Sequence, residues 1–158
     1  MDHEIIIDTE MRVLHKEARH PNFALETSEP VREIIYEHRD FHLITNKFSG
    51  EAHVASMDLC GIDHGILSGL AWHDRGILDD NNEYVKECVQ TFPDRFRALF
   101  IADPLNPELT AKDIHNLDES IFVGVELIPK WQKIHIDDPK LEPIFRAVLD
   151  RNMFFKPY

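Results

Sequence analysis

The chain predicts an α/β fold, a parallel sheet covered by helices, and three observations carry that expectation. Short apolar runs alternate with longer stretches of helical period along most of the sequence, the order that builds strand–helix–strand units. The runs "FVGVELI" and "RALFIA" are almost continuously apolar, as strands buried on both faces are. Breakers such as Gly61 and Asp103-Pro104 fall between the runs rather than inside them. Five strands are expected, joined by right-handed crossovers that curl the sheet one way.

In order, Ile5–Asp8 reads as the first strand, a β-branched run ending on a carboxylate. Residues 13–49 form an irregular or inserted segment, with a helix over Glu29–Arg39 that places Val31, Ile34 and Ile35 on one face. Gly50–Cys60 reads as a helix stopped by Gly61. "HGILSGLAW" is a strand reaching Trp72, and "LDDNNEYVKECVQTF" is a helix opened by acidic and Asn residues. "FRALFIADP" is the next strand. Asn106 as N-cap and Pro107 in the first turn open a short helix over "NPELTAKDIHNL". "IFVGVELIP" is a strand. "DPKLEPIFRAVLDRN" is a helix with Asp138 as cap, Pro139 just inside, and Leu141, Ile144, Phe145 and Val148 on one stripe. "MFFKPY" is the last strand, and residues 1–158 are expected as one domain.

The composition narrows the function classes. Hydrophobic content of 43% and charged content of 29% suit a globular protein with a real core. A net charge of −12 argues against a nucleic-acid partner, which needs clustered Lys and Arg. Cys60 and Cys88 are too few for a disulfide framework and read as buried and inert. There is no apolar run of transmembrane length and no signal-peptide pattern, so a cytoplasmic protein that does not enter membranes is expected.

In parallel α/β folds, ligands bind beyond the carboxyl ends of the strands. The groups expected there are Asp8, Glu10 and Arg12, then Trp72, His73 and Asp74, then Asp103, then Lys130, Trp131 and Gln132, and finally Lys156. Each also has a purely structural reading. Asp8 can tie down amides at the strand end, and Glu10 and Arg12, two apart in an extended segment, can pair. His73 can be a solvated loop residue, Asp103 a turn-former, and Trp131 packing. The pairs His15/His20 and His38/His42 have no third ligand at zinc spacing.

The order of these pieces resembles the amidohydrolase-related branch of metal-dependent TIM-barrel hydrolases, which includes aromatic-acid decarboxylases. "IIIDTEMRV" looks like the opening strand with its D-x-H-x-H signature, and "MDLCGIDHGILSGLAW" like the segment in which "GID" precedes strand two. "FPDRFRALFIADPLNP" is similar to the Pro-Asp-Arg-Phe entry to strand three. "FVGVELIPKWQ" resembles the strand-four motif, and "MFFKPY" the strand-five ending that normally carries a histidine. The resemblance implies a TIM-type barrel, incomplete in this chain. It also implies hydrolysis of a C–N or ester bond, or decarboxylation of an aromatic acid.

What it implies for the site departs from the pattern. The family holds a divalent metal with two histidines after strand one, a histidine after strand five and an aspartate after strand eight. Here the first pair reads Glu10 and Arg12, the strand-four positions read Glu126 and Ile128, and the strand-five position reads Lys156. Glu10 remains compatible with a metal ligand, whereas a guanidinium has no lone pair to give. Arg12 and Lys156 are therefore expected to replace the metal's charge, with Glu10 bridging them, leaving no cofactor or a weakly held divalent metal such as zinc. Glu10, Arg12, His73 and Lys156 are the candidate catalytic residues. Trp72, Asp103, Lys130, Trp131 and Gln132 are the candidates for holding a carboxylate or aromatic-acid substrate. The alternative is a catalytically silent, metal-free homologue that binds a small molecule or serves as a partner subunit. A flavodoxin-like binding domain is a third option, although no Gly-rich phosphate loop follows strand one. A closed barrel has eight strands in about 250 residues, so a longer product, a complementing chain or a homo-oligomer is expected to supply what five strands lack.

Overall fold

The computed structural model describes residues 4–20, 23, 29–31 and 47–158. Five strands form one sheet: β1 (Ile7–Arg12), β2 (His64–Ser68), β3 (Phe96–Ile101), β4 (Phe122–Leu127) and β5 (Phe154–Pro157). Every neighbouring pair is parallel, and the order in space is the order in sequence. That sequential order is how a barrel winds; a doubly wound sheet reverses its strand order at a switch point. The flavodoxin-like option is thereby set aside. Curling is direct: side chains of β1 and β5, at opposite edges of the sheet, meet across its concave face.

Among the described residues, four helices of nine residues or more alternate with the strands and pack on the sheet, and their ends follow local chemistry. Ser49 caps α1 (Gly50–Cys60) by accepting from the Ala52 amide at 3.2 Å, and Gly61 ends it at φ 69°, a left-handed conformation that disfavours residues with a Cβ. Asp74 caps α2 (Arg75–Thr91) by accepting from Ile77 at 3.0 Å. The helix thus begins three residues before the expected Leu78. Asn106 sits at the N-terminus of α3 (Pro107–His115) without capping it. Its amide instead donates to Asp103, which also accepts from Leu105. The expected helix from Asp138 divides into a 3-10 turn over Pro139–Leu141, capped by Asp138, and α4 (Glu142–Asp150). Pro143 has no N–H to offer the Pro139 carbonyl, so the α-helical ladder cannot run back through the turn.

The larger core lies between sheet and helices: Met11, Leu67, Phe96, Ala98, Phe100 and Val125 pack against Met57, Val85, Val89, Ile114, Ile144 and Val148. A second core sits beyond the strands' carboxyl ends. There Leu14, Ala18 and Val31, from the segment 13–49, cover Leu70, Trp72, Leu78, Ile101 and Ile128. Residues 21–22, 24–28 and 32–46 of that segment, with most of the expected helix Glu29–Arg39 and the pair His38/His42, lie outside the described residues.

Two expectations are corrected. The first strand runs over Ile7–Arg12 rather than Ile5–Asp8, and Ile5, Ile6 and Ile7 are 63, 49 and 54% exposed at and before the start of this edge strand. Cys60 is exposed at the end of α1, while Cys88 is buried as expected. Gly124 is required where it stands, since a Cβ there would lie 2.4 Å from the Phe154 carbonyl of the paired strand.

Candidate functional site

β1 ends by delivering Glu10 and Arg12, two residues apart and on one side, to the concave face. β4 delivers Glu126 and β5 delivers Lys156, and Glu126 and Lys156 are register partners in the sheet. The four charges interlock. Glu126 is fully buried, and its two oxygens accept from both terminal nitrogens of Arg12 at 2.8 and 2.7 Å, a bidentate fork. Arg12 also donates to the Gly69 carbonyl at 3.0 Å and to Glu10 at 2.8 Å. The other Glu10 oxygen takes the Lys156 ammonium, which lies 3.4 Å from Glu126 and 3.5 Å from the Thr9 carbonyl. Glu10 therefore bridges Arg12 and Lys156.

Burial raises the Glu10 carboxyl, but the Lys156 hydrogen bond and the charges of Arg12 and Lys156 outweigh it. The carboxyl is held below its ordinary value and is ionised at neutral pH. Two cations and two carboxylates sum to zero here, with Glu10 the exposed member: 43% of its side chain is accessible, against 0% for Glu126. His53 on α1 donates from Nε2 to the Arg12 carbonyl at 2.7 Å, fixing the backbone under the guanidinium.

One wall is aromatic. Tyr158 lies 5.1 Å from the Arg12 guanidinium and 5.6 Å from the Lys156 ammonium, within cation–π range of both. Trp131 packs 5.9 Å from Tyr158, and its carbonyl accepts from His73 Nε2 at 3.2 Å. The His73 and Asp74 amides both donate to the buried Glu29 at 2.6 Å, so the segment 13–49 ties the β2–α2 turn to the mouth. Among the sequence candidates, Glu10, Arg12 and Lys156 come together, Trp131 borders them through Tyr158, and His73 stands one contact further out. Lys130 is exposed on the single helical turn after β4.

Trp72, Asp103 and Gln132 are placed differently from the expected rim. β2 ends at Ser68, four residues before Trp72, which is 2% exposed and donates its indole N–H to Asn81 at 2.8 Å. Asp103 holds the Leu105 amide and the Asn106 side chain. Gln132 accepts from the Ile128 amide and donates to the Ala102 carbonyl. All three lie within the protein's own packing. Asp8 accepts from the Glu10 amide, its structural reading. His15 is buried edge-on to Phe23 and Trp72, and burial lowers its pKa. Sequence reasoning missed Tyr158, and it noted Glu126 only as a departure at a strand-four position without counting it in the site; a lone carboxylate between Val125 and Leu127 in a buried strand was the available signal for a buried ion pair.

No family model matches the sequence, and no curated protein does. Solved structures do. A 5-carboxyvanillate decarboxylase from Novosphingobium aromaticivorans, complexed with manganese and 4-hydroxy-3-methoxy-5-nitrobenzoic acid, superposes with a TM-score of 0.80 at 24% identity over 96% of this chain. The fold is that of the amidohydrolase-type decarboxylases. A dihydroxybenzoic acid decarboxylase from Polaromonas, with manganese and 2-nitroresorcinol bound, gives 0.71 at 19% identity over 97% of this chain. A probable 2-pyrone-4,6-dicarboxylic acid hydrolase from Acinetobacter baumannii, with citric acid bound, gives 0.64 at 17% identity over 98%. In each case the chain spans about half of the neighbour's length, 49, 48 and 49% respectively. The five strands are thus a curled half of a TIM-type barrel. None of the described helices is long and apolar enough to cross a membrane.

Two of these neighbours hold manganese, and the donors that the described residues gather at the strand ends do not fit a divalent ion. Glu10 and Glu126 are already engaged by Arg12 and Lys156, and neither cation has a free lone pair to donate. Among the described residues, no group of three or more His, Cys, Asp or Glu is placed to hold a metal ion.

Proposed function

We propose that this amidohydrolase-fold chain binds a small aromatic carboxylate through fixed cations in place of a divalent metal. The observation that carries the reading is the Arg12–Glu10–Lys156 bridge: two cations already grip one carboxylate at the strand ends, beneath Tyr158. An incoming carboxylate meets Arg12 and Lys156 from the open side, while its ring lies against Tyr158 and Trp131. The ligand class is supported by the nitrobenzoic acid and nitroresorcinol held by the fold neighbours. Glu10, Arg12 and Lys156 are the binding residues, Trp131 and Tyr158 the wall, and His73 and Lys130 flank the mouth. In this reading Trp72, Asp103 and Gln132 do not touch the ligand, since their polar groups are taken up by Asn81, by the Leu105–Asn106 turn and by the Ile128 and Ala102 backbone.

Chemically, the cation pair can hold an anion or stabilise a developing oxyanion, but it does not generate a metal-bound hydroxide. A second reading is favoured by the neighbours being decarboxylases and a hydrolase. In it the same acid is decarboxylated or hydrolysed once further strands close the barrel and add donors. Those strands would come from a longer product, a complementing polypeptide or other copies of the chain, seated on the open edges of β1 and β5.

Titration of the purified chain with benzoate, followed by calorimetry, tests the binding reading. Saturable binding is expected, weakened at least about tenfold in Lys156→Met by loss of a charged hydrogen bond. Benzamide, which lacks the charge, is expected to bind far more weakly. Equal binding of benzoate and benzamide would refute the reading.

A further inference from the structure

We propose that Glu10 is an internal anion occupying the carboxylate subsite, and that a ligand must displace it to bind. The inference rests on the anion-binding reading above and gives that site a built-in competitor. Of the two carboxylates on the cation pair, only one can leave. Glu126 is fully buried and forked by Arg12, and separating a buried pair of that kind is strongly unfavourable. Glu10 stands at the mouth with 43% of its side chain exposed. It accepts from Arg12 Nη2 through one oxygen and from the Lys156 ammonium through the other. Exposed pairs of this kind contribute about 0–1 kcal/mol, so an external anion can compete with it.

The geometry of the contact defines what the competitor must look like. Glu10 makes a two-point contact, one oxygen on Arg12 Nη2 at 2.8 Å and the other on the Lys156 ammonium. A carboxylate reproduces that contact, and a single-point halide does not. Tyr158 overlies both cations, so a flat ring directly attached to the carboxylate gains a contact that Glu10, with its aliphatic stem, lacks. With Glu10 swung out to solvent, Arg12 and Lys156 stay in place because Glu126 still pairs with both.

The chain is thus a weak binder by construction, and removing the Glu10 charge strengthens it. Glu10→Gln leaves the side chain's size unchanged and takes the local charge from zero to plus one. Benzoate affinity of the full chain is expected to rise about fivefold, equivalent to about 1 kcal/mol. Glu10→Asp, too short to bridge both cations, shifts affinity the same way by less. Adding Lys156→Met to Glu10→Gln abolishes the gain, and benzamide gains nothing. Calorimetric titration of each variant, with its melting temperature recorded, reads these outcomes. If the wild type binds benzoate and Glu10→Gln and Glu10→Asp bind it equally or more weakly, the inference fails while the anion site stands. If neither the wild type nor folded Glu10→Gln binds benzoate, the anion-binding reading itself fails.

Discussion

Replacing Arg12 with alanine is expected to destabilise the chain by about 3–5 kcal/mol, the usual cost of breaking a buried pair. Glu126 has no exposed surface, and Arg12 supplies both of its short hydrogen bonds. Without Arg12 its remaining partner is Lys156, 3.4 Å away and shared with Glu10. The buried carboxylate is then left with too little to compensate it. Urea denaturation reads the loss directly, and the melting temperature should fall by about 10 °C at ~2–4 °C per kcal/mol. Arg12→Lys should recover little, because an ammonium cannot fork onto two carboxylate oxygens. Replacing both partners, with Arg12→Met and Glu126→Leu, should recover most of the stability, since an apolar pair of similar volume removes the stranded charge. A loss below about 1 kcal/mol in Arg12→Ala would mean that this pair is not the brace of the mouth.

The second large effect is expected at Asn81 on α2, which no sequence pattern marks as special. Its side chain is fully buried and joins three pieces of chain. It accepts from the Leu70 amide at 3.3 Å and from the Trp72 indole at 2.8 Å, and donates to the Val13 carbonyl at 3.0 Å. It thus stands in for the ladder bonds that β1 and β2 no longer make beyond Arg12 and Ser68. Gly69 allows the approach, since a Cβ there would meet the Asn81 carboxamide at 2.9 Å. Asn81→Ala leaves the indole N–H and the Val13 carbonyl buried without a partner, so a loss of about 3 kcal/mol is expected. Asn81→Asp separates the terms. It keeps the two acceptor contacts but sets an oxygen against the Val13 carbonyl, so it should also destabilise. Urea denaturation, with amide exchange at Leu70, distinguishes this from a general core defect.

The fold was legible for a physical reason. β3 and β4 carry near-continuous apolar runs because both of their faces are covered, and the cap Asp138 sits where the sequence placed it, whereas Ser49 and Asp74 cap helices without having been read as caps and Asn106 does not cap. The bridge from Glu10 to Arg12 and Lys156 was legible too, because strand-end residues two apart must share a face. What could not be read was which strand-end groups stay open. Trp72, Asp103 and Gln132 look like rim residues in one dimension. In three dimensions Trp72 is covered by Leu14, Ala18 and Val31, residues distant from it in the chain, while Asp103 and Gln132 turn to nearby backbone. The exposure of Ile5–Ile7 was hidden likewise, because periodicity shows that a segment is apolar but not whether a neighbouring strand exists to bury it.

The proposed binding of an anion by Arg12 and Lys156, in place of a divalent metal, requires that the chain hold no such ion at Glu10. Metal quantification tests it most directly: the purified chain is equilibrated with excess manganese, desalted, and its metal content measured per chain, beside Glu10→Ala. The expected result is a manganese content far below about one per chain, the same in both proteins, because the carboxylates are held by Arg12 and Lys156. About one manganese per chain, lost in Glu10→Ala, would contradict it.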